Sequence, residues 1–162
     1  MGALSDQAAA IAAVVDAITN SGVVYDYQPS PRGNDLSSFV SHFVVTISTK
    51  TQIRAWTVAY NGESGEERTV AIGAMKMYRR INWLVRFFQS WDDTSEVDFR
   101  NLTELAVLAL NASQSLGGTV IRHTPCVVSM PNAGQGVVLG DYGCHLAEIR
   151  LTTTIEATLQ GS

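Results

Sequence analysis

Chemically specialised residues are scarce in this chain. Only two of its 162 residues are cysteines, Cys126 and Cys144, and only three are histidines. Two cysteines cannot build the disulfide framework of a small secreted domain. No apolar run approaches the roughly 20 residues that cross a membrane, and the N-terminus has no basic segment followed by an apolar core. We therefore expect a soluble protein that is made in the cytoplasm and has no membrane partner.

Charge is also scarce. Charged residues make up 16% of the chain and hydrophobic residues 46%, whereas about a quarter of an average domain is charged. This composition excludes wholesale disorder and is compatible with a folded domain that hides surface in an oligomer. The net charge of −4 argues against duplex nucleic acid as a specific partner, since phosphate binding needs a basic surface. The length fits one domain that buries roughly 70% of its unfolded surface.

Four residues suggest a metal or nucleophilic site, namely His123, Cys126, Cys144 and His145. Cys144 and His145 are adjacent on a predicted strand, so their side chains point to opposite faces and do not bind one ion together. If the last two strands pair across a loop centred near Gly136, Cys126 lies roughly opposite Leu146. A Cys126–Cys144 disulfide then requires a shifted pairing, and buried reduced thiols are the favoured interpretation.

Other signals of chemistry are weaker still. The glycines from Gly134 to Gly140 superficially resemble a phosphate-binding loop, but a strand follows them and not the helix that such a loop needs. Asp92 and Asp93 precede a predicted helix, where carboxylates favour the positive end of the helix dipole. No third group is identifiable that would orient a Cys–His pair. We expect no catalytic residue, no metal and no cofactor.

Hydrophobic periodicity predicts two helices among several strands. Ser5 is a plausible N-cap for a helix that ends near Gly22, and Ser95 caps a second helix that Gly117-Gly118 terminates. Asp98 stands at the N3 position of that second helix, where it can complete a capping box. Residues 36–45 fit a short helix that runs into a strand. Further strands are predicted at residues 23–27, 53–60, 82–89, 119–122 and 126–130. The order predicts a single α+β domain with two helices packed on a mainly antiparallel sheet.

The most informative stretch is residues 142–156, which is predicted as one strand of about 15 residues and therefore roughly 50 Å long. A compact domain of this length has a radius of gyration of only about 15 Å. Such a strand must bend, or run past its own domain to another subunit. One face carries Ala147, Ile149, Leu151, Thr153, Ile155 and Ala157, and the other carries Glu148, Arg150, Thr152, Thr154 and Glu156. We expect the apolar face to pack against the helices.

Earlier in the chain, Asn61-Gly62 is a strong hairpin-turn signal. The acidic, glycine-bearing stretch from Glu63 to Glu67 extends it into a predicted mobile loop around residues 61–80. Five of the eleven basic residues follow closely in the sequence, which indicates either a solvated face or a contact with an acidic surface. They are Arg68, Lys76, Arg79, Arg80 and Arg86.

Several segments, taken together and in order, carry a family resemblance. After an alanine-rich first helix come Val24-Tyr25-Asp26-Tyr27-Gln28-Pro29 and Pro31-Arg32, and then Trp56. They are followed by Arg86-Phe87-Phe88, Asp98-Phe99-Arg100-Asn101-Leu102, Leu116-Gly117-Gly118-Thr119-Val120 and residues 144–152. Together these segments resemble the tail terminator proteins of long-tailed bacteriophages, also called minor tail or tail-completion proteins. Residues 61–80 depart from that pattern.

The resemblance implies an α+β fold and a homo-oligomeric ring, usually a hexamer, on the head-proximal end of the tail tube. Such a ring ends tube polymerisation and presents the head-joining surface, and it catalyses no reaction. The implied partners are other copies of the chain, the tail tube protein and the head–tail connector or neck protein, and DNA passes through the ring without specific binding. The implied location is the tail of the virion, after assembly in the host cytoplasm.

Assembly then depends on complementary surfaces. We expect the contacts to neighbouring subunits or to the tube to involve Glu63, Glu66, Glu67, Lys76, Arg79, Arg80, Glu148 and Arg150. Two alternatives stay open. One is a different neck or head-completion protein of a phage. The other is a small cytosolic enzyme or ligand-binding domain that uses Cys126, Cys144 and His145.

Overall fold

The computed structural model describes residues 3–29, 40–71, 74–92, 94–131, 136–139 and 142–158. For residues 66–71, 74, 75, 157 and 158 it describes the backbone only. The two described helices are α1 (Ala3–Asp16) and α2 (Ser95–Ala112), with a single 3-10 turn at Leu116–Gly118. The strands are β1 (Val23–Tyr25), β2 (Val44–Ile47), β3 (Lys50–Ala71), β4 (Ala74–Ser90), β5 (Arg122–His123), β6 (Val127–Ser129), β7 (Val137–Leu139) and β8 (Tyr142–Thr158).

The strands form a mixed sheet with the order β1-β3-β4-β8-β5, in which β2 also pairs with β3, and β6 and β7 also pair with β8. β1 runs parallel to β3, and the other pairs are antiparallel. The prediction of a single α+β domain with a mainly antiparallel sheet is confirmed.

Both helices pack on one face of the sheet and close the main core there. On the strands this core contains Trp56, Val58, Trp83, Val85, Phe87, Ala147, Ile149 and Leu151, and on the helices Ile11, Val15, Phe99, Leu102, Ala106 and Leu110. Trp56 stacks on Phe87 with ring centroids 4.0 Å apart, and Phe87 stacks on Phe99 at 5.3 Å. Burial of each large side chain contributes about 1.5–3 kcal/mol, so this three-ring stack fixes α2 against the middle of the sheet.

A smaller core lies on the opposite face, near the start of β3. It contains Val40, Phe43, Ile53, Ala55, Phe88 and Cys144. Within the described part of the chain, helices therefore cover one side of the sheet, and residues of the β2 and β7 segments cover one end of the other side.

The long final strand is confirmed, and so is its pattern of faces. β8 pairs with β4 over its whole length, from Cys144 opposite Ser90 to Thr158 opposite Lys76. Along its other edge it pairs in turn with β7, β6 and β5. Ala147, Ile149 and Leu151 lie in the helix-covered core, as predicted. The length of β8 is thus accommodated by strands of its own chain.

The predicted turn at Asn61-Gly62 and the predicted loop through residue 80 are wrong. Both segments belong to β3 and β4, which pair from Arg54 opposite Gln89 to Ala71 opposite Ala74. The register shifts between Tyr60 and Glu63 and again between Glu63 and Glu66. Gly62 and Gly65 have φ values of 84° and 109° there. These glycines supply the positive φ of β-bulges, in place of a chain reversal.

Several boundaries also differ from prediction. Ser5 lies inside α1, which ends at Asp16, and the N-cap of α2 is Thr94, with Ser95 as the first helical residue. β6 pairs with β8 so that Val127 lies opposite Arg150, which overturns the predicted neighbourhood of Cys126 and Leu146. Residues 36–39, Asp93, residues 132–135 and Gly140 lie outside the described residues.

Candidate assembly interface

Beyond the helix-covered core, three strands continue together as a ribbon. We call residues 63–71 of β3, 74–80 of β4 and 154–158 of β8 the three-strand extension. Arg79 forms an ion pair with Glu63 across the β3–β4 pair, and Lys76 lies 3.6 Å from Glu156 across the β4–β8 pair. Charged side chains on this ribbon therefore contact one another within one chain.

Strand register explains this arrangement. Glu66 lies opposite Arg79, and Glu67 opposite Tyr78. Arg80 is exposed and lies opposite Thr154 of β8. The structure therefore brings together Glu63, Glu66, Lys76, Arg79 and Arg80, which the sequence singled out separately. Acidic residues of β3 lie across the strand pair from basic residues of β4, because the acidic and basic stretches are the two arms of one hairpin.

Glu148 and Arg150 have a different environment. Glu148 is only 9% exposed and accepts a hydrogen bond from Arg86 Nε at 3.1 Å, while Arg150 Nη2 lies 3.5 Å from it. Arg150 is exposed and donates to Ser129 Oγ at 2.8 Å. Glu148 is therefore committed to a polar network inside the chain, and Arg150 is the member that presents surface.

Sequence reasoning did not identify the rest of that network. Gln28 Oε1 accepts hydrogen bonds from Thr57 Oγ1 at 2.9 Å and from Arg86 Nη1 at 3.4 Å. Further along the same face, Thr152 Oγ1 donates to Asn82 Oδ1 at 2.9 Å. The available signal was the alternation of β8, whose polar face predicts that the facing residues of β4 are polar too.

The sheet has two open edges on opposite sides. β3 pairs with β1 at residues 55–57, and on that edge no strand of the described residues continues the pairing along residues 58–71. The other edge is formed by β5 and β6, whose outer sides also lack a partner strand in the part of the chain that the structure describes. Val127 of β6 is 64% exposed there, and Val128 and Met130 are partly exposed.

These two edges carry different charge. Residues 58–71 contain Glu63, Glu66 and Glu67 and one base, Arg68, whereas residues 119–131 contain no acid and one exposed base, Arg122, since His123 is buried. Unpaired strand edges are templates for another strand, which adds through main-chain hydrogen bonds. An acidic edge and a basic, apolar edge on one sheet are complementary to each other across two copies of the chain.

Ser95, which the sequence suggested only as a helix cap, contacts His145 but does not form an accessible catalytic site with it. Ser95 Oγ lies 2.9 Å from His145 Nε2, a geometry that a nucleophile and its base also adopt. Ser95 is, however, only 2% exposed, and its hydroxyl also bonds the backbone of Asp92 at 2.9 and 3.0 Å. His145 stacks on Phe99 with centroids 4.9 Å apart, and burial lowers its pKa. This contact holds the start of α2 against β8.

The two cysteines and His123 do not form a reactive site either. Both cysteines are free thiols, and burial raises the pKa of Cys126 to about 11 and that of Cys144 to about 12. The two ring nitrogens of His123 face the carbonyl oxygens of Thr124 and Leu110 at 2.6 and 2.7 Å. Among the described residues no group of three His, Cys, Asp or Glu side chains gathers around a common point. Neither described helix is long and apolar enough to span a bilayer.

No protein-family model and no curated protein matches this sequence.

Proposed function

We propose that this chain is a structural protein of a long-tailed bacteriophage, a tail terminator that forms a ring on the head-proximal end of the tail tube. The ring ends tube polymerisation and presents the surface to which the head connector binds. Its partners are other copies of itself, the tail tube protein and the connector, and its place is the tail of the virion. The role requires shape and charge complementarity and no reaction.

The observation that carries this proposal is the pair of open sheet edges. A cyclic ring is built from a heterologous interface, in which one patch of each subunit meets a different patch of the next. The acidic β3 edge and the basic, apolar β5–β6 edge are two such patches on one subunit. Their opposite charges favour head-to-tail pairing over pairing of like edges. The resemblance of the sequence to tail terminator proteins supports a ring of the terminator kind, usually a hexamer.

The experiment uses purified protein, tail tubes assembled without terminator, and filled heads. Light scattering and electron microscopy of the protein, alone and mixed with tubes, are expected to show rings and capped tube ends. Tubes capped in this way no longer elongate when tube protein is added. A protein that stays monomeric at high concentration and leaves tube growth unchanged contradicts the proposal. Binding to filled heads but not to tubes assigns the chain to the head-completion class instead.

A further inference from the structure

A cleft of about 430 Å³ lies at the end of the sheet opposite the three-strand extension. Its walls are the α1–β1 connection, the β2–β3 turn, the start of β3 and the first turns of α2. The polar lining includes Asn20, Lys50, Gln52, Arg54 and Asn101, and the apolar lining includes Ile47, Leu102 and Leu105. The cleft shares no residue with the two open edges, so an inference about it is independent of the assembly role.

Arg54 is the unusual member of this lining. It is only 7% exposed, and its guanidinium donates to two neutral acceptors, the Asn20 carbonyl and Gln52 Oε1, both at 3.0 Å. Its Nε has no hydrogen-bond partner, although Gln89 lies directly opposite in the strand register and its Oε1 is also unpartnered. No ion pair within the described residues includes Arg54. A buried cation is normally compensated by an anion.

The carboxylates of the cleft do not supply that compensation. Asp92 is bound by Lys50 and accepts hydrogen bonds from the backbone and hydroxyl groups of Thr94. Asp98 is exposed, and its charge acts on Arg54 without an ion pair between them. Burial lowers the pKa of Arg54, and the charge of Asp98 opposes that shift. The Arg54 guanidinium therefore lies beside an open cleft. Its charge is desolvated, and no carboxylate of the described residues forms an ion pair with it.

We propose that this cleft is a binding site for a carboxylate ligand, with Arg54 as the buried cation that recognises it and Lys50 as a second cation at the rim. The planar guanidinium presents its donors in a fork that binds a carboxylate through two hydrogen bonds, and the same fork can bind a phosphate. The apolar residues of the lining favour an organic acid over an inorganic anion. Ile47, Leu102 and Leu105 provide an apolar wall for the carbon part of the ligand. The ligand class is a small organic acid.

The test follows the Arg54 Nε–H resonance by ¹⁵N-resolved NMR while acetate is added at constant ionic strength. A saturable shift of the Arg54 resonance is expected. The Nε–H of Arg86 already donates to Glu148, so its resonance should not shift and serves as an internal reference. Inorganic phosphate is the second probe. A larger response to phosphate than to acetate overturns the assignment to carboxylates, and absence of any saturable response overturns the site.

Three variants sharpen the result. Gln89→Glu keeps the size of the side chain and places a carboxylate opposite Arg54, since directly opposed residues have Cβ atoms about 5 Å apart. It is expected to abolish acetate binding by satisfying the guanidinium from within. Asp98→Asn removes the competing negative charge and should tighten binding by about threefold, and Lys50→Gln should weaken it by about as much. Both of these positions are exposed, so the test does not depend on the buried variant folding. Equal affinity in the wild type and in the two surface variants contradicts the proposal.

Discussion

Glu63 of β3 and Arg79 of β4 are joined by an ion pair that spans the hairpin at its first irregular register. Both side chains are about one-third exposed, and a pair of this kind contributes only about 0–1 kcal/mol to stability. Arg79→Glu combined with Arg80→Glu should therefore leave the chain folded, with a nearly unchanged Tm, yet abolish capping of tail tubes. Circular dichroism and a tube-elongation assay measure the two effects.

A charge swap separates the internal role of this pair from an external one. Glu63→Arg with Arg79→Glu rebuilds the same ion pair with its direction reversed. If Arg79 contacts a neighbouring subunit or the tube, the swapped protein is as stable as the wild type and still fails to cap. Full recovery of capping in the swapped protein means that the pair acts only within the chain.

The edge-pairing model makes a prediction about Val127. Val127→Asp puts a negative charge on the β5–β6 edge that is proposed to meet acidic residues, whereas Val127→Lys puts a positive charge at the same exposed position. Like charges directly opposed across strands are destabilising. We expect Val127→Asp to lower the fraction of rings seen by light scattering and Val127→Lys to preserve it. Equal loss in both variants points to apolar contact alone, and no loss in either removes this edge from the interface.

Trp91 packs against Gly136 and Gly143, and the contact with Gly136 is testable with a matched control. A Cβ at Gly136 would lie 2.3 Å from Trp91 Cζ2 and 2.4 Å from the Cys144 carbonyl oxygen. Gly117 has almost the same φ, 68° against 65°, and no atom within 4 Å of its Cβ position. Gly117→Ala should cost about 1–2 kcal/mol from its left-handed backbone. Gly136→Ala should cost about 1–3 kcal/mol more because the Trp91 ring and the Cys144 carbonyl must both give way.

Chemical denaturation gives the two stabilities, and tryptophan fluorescence reports the movement of Trp91. The emission spectrum should change in Gly136→Ala and stay constant in Gly117→Ala. Equal destabilisation with unchanged emission would mean that the Trp91 ring adapts without cost.

The two thiols predict how stability depends on pH in the alkaline range. Their native pKa values of about 11 and about 12 exceed the 9.0 of an ordinary thiol. Between these values the unfolded chain releases protons that the folded chain retains, so stability falls as pH rises. The slope is small below about pH 8, where the thiols are protonated in both states, and it grows as pH rises through 9. Urea unfolding of the wild type and of the Cys126→Ala, Cys144→Ala double variant between pH 8 and 10 measures how much the thiols contribute to the pH dependence of stability. The double variant should lose less stability over the range, and identical slopes would contradict the prediction.

The parts of the fold that follow a simple period were predictable from the sequence. β8 alternates apolar and polar residues over its length, and the register with β4 places the apolar set under the helices. α2 was predicted from its helical spacing, with a boundary error of one residue at Ser95, since cap position depends on local backbone angles. Its predicted end at Gly117-Gly118 was late, because the helix ends at Ala112 and the two glycines belong to the 3-10 turn that follows.

The hairpin was mispredicted for a physical reason. Asn61-Gly62 has the composition of a tight turn, but the same positive φ also serves a bulge, and only the pairing of flanking residues decides between them. The pairing of residues 66–71 with 74–79 is tertiary information that no local window contains. The burial of Glu148 was hidden for the same reason, because Arg86 reaches it only after β4 and β8 are aligned.

The closure of the main core by β8 also determines when the protein can fold. Gln7 of α1 accepts hydrogen bonds from Trp83 of β4 and from Thr153 of β8. Gln7 and Thr153 are 146 positions apart in the sequence. During synthesis α1 and the β3–β4 hairpin emerge long before the strand that joins them. Contacts so distant in sequence make folding slow, because the entropy of loop closure must be lost before they form. During synthesis the apolar face of β3 and β4 therefore stays incompletely covered until β8 is made.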